Sequence, residues 1–187
     1  MCPDCDKKIS FKKFFVTLSL VVASLFALKT FGSESHDHGK VMKKENSQTK
    51  QLDKDSKAQI LKSLKTYEKL HDAYYAYDNS KVVSESKKLT QSLEAISNKD
   101  IQSKLKSENV YTFLNAIKMT DNRTVNDSLL DNVSKKLNEI ILSKYDLSDY
   151  NLYYCPMVKK HWLQNSKKMA KVHNPYAPDM KSCGSQM

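Results

Sequence analysis

The chain has 187 residues, 40% hydrophobic and 28% charged, with a formal charge of +10 at pH 7. That balance is too apolar for general disorder, and three Gly and four Pro are too few for the turn-dense sequence of a β-sandwich or barrel. Arg123 is the sole Arg, and Lys alternates with Ser, Asp and Glu along the chain. Nucleic-acid binders instead cluster Arg with Lys and aromatics on one face, so no nucleic-acid partner is expected.

Residues 1–32 read as an export signal. Lys7, Lys8, Lys12 and Lys13 precede an apolar run from Phe14 to Leu28, interrupted by Thr17, Ser19 and Ser24. A positive stretch followed by a short apolar run is the pattern of a secretory signal, and this run is shorter than the roughly 20 residues that span a bilayer. Thr30 and Gly32 place small residues for cleavage before Ser33, with Ala27 as a competing position. Left uncleaved, the same segment would serve as an anchor. Cys2 and Cys5 stand ahead of the run and would leave with it; one thiol pair is half of a tetrahedral metal site.

Residues 33–56 are polar, lack apolar periodicity and read as a flexible linker, within which His36 and His38 are solvated. From residue 57 onward the expectation is an all-α fold, an antiparallel bundle of about four helices. The first helix, about 57–78, carries Ile60, Leu64, Tyr67, His71 and Tyr74 on one stripe, with His71 bonded to a neighbouring Tyr. The second, about 81–98, buries Val82, Leu89, Leu93 and Ile96. The third, about 100–119, buries Val110, Phe113, Leu114 and Ile117. In the fourth, Thr124 caps, Asp127 occupies the capping-box position, and Leu130, Val133, Leu137 and Ile140 face the core.

Periodicity stops past Leu147, and an irregular segment is expected to pack on the bundle. Residues 153–187 gather Cys155 and Cys183, His161 and His173, the only Trp, and Met157, Met169, Met180 and Met187. Thiolate and thioether donors select copper(I) and related soft ions, with imidazole as a tolerant partner. The candidate metal ligands are therefore Cys155, Met157, His161, His173, Met180 and Cys183. A second reading stands beside this one: in an oxidising compartment Cys155 and Cys183 pair as a disulfide, closing a loop worth roughly 3–4 kcal/mol. No nucleophile–base pair, phosphate loop, paired-carboxylate or zinc-protease motif is present, so an enzyme is not expected.

The order Tyr154-Cys155-Pro156-Met157, Trp162-Leu163, Asn174-Pro175-Tyr176, Met180 and Cys183-Gly184 after a helical region resembles the domain-of-unknown-function family 3347. Leu61 to Leu93, including His71-Asp72-Ala73, is similar to it in spacing, and the resemblance covers about 58–184. It implies a periplasmic protein that handles metal, partnered with or fused to the adaptor subunits of copper/silver efflux pumps. The Cys-Pro-Met element also resembles that of short heavy-metal-binding domains, with Val158 where a His often follows.

Overall fold

A computed structural model describes residues 50–120 and 122–187. The export signal, Cys2, Cys5, His36, His38 and nearly all of the linker lie outside the described residues. Five helices come first: α1 (Lys54–Tyr75), α2 (Asn79–Glu94), α3 (Lys99–Ser107), α4 (Val110–Ala116) and α5 (Thr124–Leu137). A five-residue π-helical stretch, Asn138–Leu142, extends α5. Among the described residues no helix is long and apolar enough to cross a membrane.

Local chemistry sets where the helices begin and end. Asp53, Asp78 and Asn98 each accept the N–H three residues on, at 2.8, 3.0 and 3.1 Å, and so cap α1, α2 and α3. Helix α1 thus starts within the expected linker. The third helix, expected to be continuous, is two: Asn109 takes a left-handed conformation, φ +60°, and breaks α3 from α4. Asn tolerates that region better than other residues with a side chain. The expected capping box on Thr124 is not formed. Thr124 is the first helical residue, Asn122 Oδ1 accepts its N–H at 3.0 Å, and Asp127 turns to Arg123 at 3.4 Å.

The core lies on the expected stripes. Ile60, Leu64, Tyr67, His71 and Tyr74 of α1 are buried, as are Val82, Leu89 and Leu93 of α2, Ile96 just past it, and Leu130, Val133, Leu137 and Ile140. Helix α1 packs on α2, α2 on α4, and α4 on α5. His71 finds a different partner from the expected Tyr: its Nε2–H donates to the His173 carbonyl at 2.8 Å.

The fold is mixed α/β, which corrects the all-α expectation. Strands β1 (Tyr150–Cys155), β2 (Lys160–Asn165) and β3 (Ser185–Gln186) form an antiparallel sheet in the order β2-β1-β3. The β1–β2 register pairs Tyr150 with Asn165 and Cys155 with Lys160; Tyr154 pairs with Ser185 of β3. Inner-edge bonds alone would leave the outer N–H groups of β2 buried and unpaired. Two helices supply acceptors: His161 N–H donates to Asp131 Oδ1 of α5 at 2.7 Å, and Leu163 N–H to the Tyr67 hydroxyl of α1 at 3.1 Å. Trp162, fully buried, stacks on Tyr153 at 5.7 Å and meets the edge of Tyr176 at 6.2 Å. At the base of the hairpin Glu68 accepts from Tyr150, from Asn165 at 3.1 Å and from Lys168 at 2.7 Å. Burial pushes the Glu68 carboxyl up, but these donors outweigh it and hold it below its ordinary range.

Two measurements test this packing. The Ser134 hydroxyl donates to the Leu130 carbonyl at 2.6 Å, so the Tyr67 hydroxyl donates to Ser134 at 2.7 Å while accepting from Leu163. Tyr67→Phe strands the Leu163 N–H in the core and takes a donor from Ser134, and is expected to cost about 1–3 kcal/mol in urea denaturation. Asp127 is pushed up to about 6, first by burial, against the attraction of Arg123 and Lys160. Its protonated form is the one the fold favours. The stabilisation it gives is complete below its unfolded value near 3.8 and is lost as pH rises through about 6. Asp127→Asn is therefore expected to raise stability at pH 7 and flatten the stability–pH curve between about 4 and 6.

Candidate functional site

Cys155 ends β1, and a tight turn follows it. The Lys159 N–H donates to the Cys155 carbonyl at 2.8 Å, and Lys159 sits at φ +55°, which lets the chain re-enter as β2. Within this turn the backbone N–H groups of Met157 and Val158 favour ionisation of the Cys155 thiol, as successive amide dipoles do in anion-stabilising turns.

The second half of the site comes from the chain end. Asn174, 1% exposed, organises it: its N–H donates to the Lys181 carbonyl at 2.7 Å, its Oδ1 accepts from Tyr176 N–H at 2.9 Å, and its Nδ2 donates to the Cys183 carbonyl at 3.0 Å. The Asn174 side chain also favours ionisation of the Cys155 thiol. Gly184, at φ +139°, carries the chain over Trp162; a Cβ there would stand 2.5 Å from Trp162 Cη2. Only glycine fits that crossing. The β1–β3 ladder pairs Tyr154 with Ser185, so continued by one step it sets Gly184 opposite Cys155 and Cys183 one residue off that register, and each thiol shifts the ionisation of the other.

The proton is shared unequally. Burial pushes the Cys155 thiol up, but the hydrogen bond from Cys183, the two amides and Asn174 outweigh burial and hold it below the ordinary cysteine range. Cys183 is pushed up, first because it donates to Cys155 and then by burial. Of the two thiols Cys155 is thus the more readily ionised and Cys183 the less.

Of the six candidate ligands, the structure brings together these two. Met157, two residues on from Cys155, is 68% exposed, and Met180, whose carbonyl accepts from Cys183 N–H at 2.9 Å, is 38% exposed; both thioethers face solvent. His161 is opposite Tyr154 in the ladder, so its side chain lies on the other face of the hairpin from Cys155. Its Nδ1–H donates to Asp131 Oδ1 at 2.9 Å and its ring lies 4.6 Å from that of Tyr154. His173 stacks on Tyr75 at 4.9 Å. Among the described residues no group of three or more His, Cys, Asp or Glu is arranged to hold a metal ion.

The residue that sequence reasoning missed is Asn174. It stood in the Asn-Pro-Tyr stretch, but nothing in its spacing pointed to a sulfur 19 positions away. Comparisons with protein-family models, with curated proteins and with solved structures give no match.

Thiolate absorbance near 240 nm, with a Cys155→Ser/Cys183→Ser chain as baseline, tests the proton sharing. The reduced chain is expected to titrate in two steps, one below and one above the ordinary thiol value of about 8.5. Asn174→Ala removes one donor and is expected to move the lower step upward.

Proposed function

We propose that this chain is an exported, non-enzymatic metal-handling protein whose Cys155–Cys183 pair holds one soft monovalent ion, copper(I) or silver(I). The observation that carries the reading is the meeting of two cysteines at the end of the β1–β3 pairing, the buried one in surroundings that favour its ionised form. Thiolates select such ions, and low coordination numbers suit a site built from two sulfurs with exposed thioethers nearby. A thiolate that keeps amide hydrogen bonds after binding an ion needs such donors; a disulfide sulfur, uncharged and a weak acceptor, does not. That distinction favours ion binding over a purely structural staple.

In this reading Cys155 is the anchoring ligand, already relieved of part of the cost of ionisation. Cys183 is the second ligand and gives up its proton as the ion enters, so affinity falls as pH falls. Met157 and Met180 are the solvent-facing thioethers that meet the ion on its way in or out. Export follows from the lysines and apolar run of residues 1–32. A periplasmic place beside a copper/silver efflux adaptor follows from the resemblance of the Cys-Pro-Met, Asn-Pro-Tyr and Cys-Gly elements.

Competition titration of copper(I) against a chromogenic chelator tests the reading, in a chain whose Cys2 and Cys5 are replaced by Ser. The reduced chain is expected to bind one ion. Asn174→Ala, which withdraws support from the ligands, is expected to cost roughly 10–100-fold in affinity, and Cys155→Ser or Cys183→Ser more than that. His161→Ala is expected to leave affinity unchanged. Undiminished binding by the chain lacking both cysteines overturns the assignment.

A further inference from the structure

We infer that Cys183 is a site of reversible S-thiolation by small aliphatic disulfides, and that Cys155 is the thiol that resolves it into an intramolecular disulfide. The inference uses the two sulfurs of the proposed ion site but does not require the ion.

Accessibility assigns the roles. Cys155 is 0% exposed, whereas Cys183 is half-buried. A disulfide from solution can reach only Cys183. Its thiolate attacks one sulfur of the small disulfide; the Cys183–S bond forms, the S–S bond of the reagent breaks, and the leaving thiolate takes up the proton that Cys183 loses. Cys155, which the β1–β3 pairing sets beside Cys183, carries out the second step. Its sulfur attacks Cys183 Sγ, the bond to the small thiol breaks, and that thiol leaves with the second proton. The protein has then lost two electrons and two protons, and the small disulfide has become two thiols.

The fold restrains Cys183 from swinging away between the steps. Asn174 holds its carbonyl at 3.0 Å, Met180 accepts its N–H at 2.9 Å, and Gly184 is wedged over Trp162. The reverse path uses the same geometry. A small thiolate attacks the accessible Cys183 sulfur; the new S–S bond forms there, the Cys155–Cys183 bond breaks, and Cys155 leaves as a thiolate that takes up a proton from water. Both directions pass through one mixed disulfide at Cys183. In the disulfide state neither sulfur is a thiolate, so exchange would switch the proposed ion site off.

Intact-mass analysis of the full chain, with Cys2→Ser and Cys5→Ser, during incubation with glutathione disulfide tests the inference. The reduced chain is expected to lose two hydrogens with no lasting adduct. Cys155→Ser is expected to accumulate one glutathione, mapped to Cys183; Cys155→Ala gives the same pattern should serine disturb the buried position. Cys183→Ser is expected to be modified at least about tenfold more slowly, because Cys155 is covered. Helical circular dichroism of each variant guards against reading unfolding as exposure. Modification of Cys155 in folded Cys183→Ser at the rate seen for Cys183 overturns the assignment, and so does a stable mixed disulfide in the chain with both cysteines. The assay contains no copper and the copper titration contains no oxidant, so either reading can fail while the other stands.

Discussion

A strand can pack against helices only when its outward N–H groups find acceptors, and the structure depends on how β2 meets that demand. The Tyr67 hydroxyl is the hub. It accepts from Leu163 of β2 and donates to Ser134 of α5, so one buried oxygen joins α1, α5 and the sheet. Burial pushes its ionisation up to about 12, which keeps the proton it must donate. Asp131 meets the second demand by taking both the backbone N–H and the ring Nδ1–H of His161. With its outer edge occupied, β2 offers its inner edge to β1, and β1 in turn takes up β3. The thiol pair sits at the far end of that sequence.

Buried polar side chains, more than apolar ones, shape the region beyond the hairpin. Gln164 is 2% exposed and touches four groups: its Oε1 accepts from Trp162 and His173, and its Nε2 donates to the carbonyls of Lys171 and Met169. The loop from Ser166 to His173 has no ladder of its own, so this side chain stands in for one. Asn174 then does the same for the last turn, holding the Cys183 carbonyl and the Tyr176 N–H. Since each amide satisfies several backbone groups, removing one leaves multiple orphans, and the cost exceeds that of a single bond. The cysteine geometry is thus inherited from Gln164 and Asn174 as much as from the sheet.

The helices were legible because each buries one stripe: Ile60, Leu64, Tyr67, His71 and Tyr74 recur at helical spacing and are all buried. The break at Asn109 was not, since the apolar pattern runs on through Leu105 and Val110 and only the backbone conformation interrupts it. The strands were hidden for a related reason. A half-exposed strand shows alternation, but Trp162, Leu163, Gln164 and Asn165 of β2 are buried consecutively, because helices and the following loop enclose both faces. In β1 the buried positions are Tyr150, Tyr153 and Cys155, which fit no single period. Chemical composition found Cys155 and Cys183, since only they carry thiols in the described chain. It also nominated His161, which strand alternation turns to the opposite face, and His173, whose ring is engaged with Tyr75.

The proposed metal binding and the inferred disulfide exchange draw on one feature of Cys155. Amide donors stabilise charge on sulfur, so they favour the thiolate and an ion-bound form over a neutral disulfide. Groups that favour the Cys155 thiolate also make a disulfide there easier to reduce, because the reduced form is the one they stabilise. A pair meant only as a staple would gain from an apolar setting in which the reduced state is penalised. Here the Met157 and Val158 amides and Asn174 favour charge on the sulfur that is least exposed, and the sulfur that solvent reaches is the harder of the two to ionise. The proposed chemistry follows that division: the buried member anchors, and exchange with soft ions or thiols falls to its accessible neighbour.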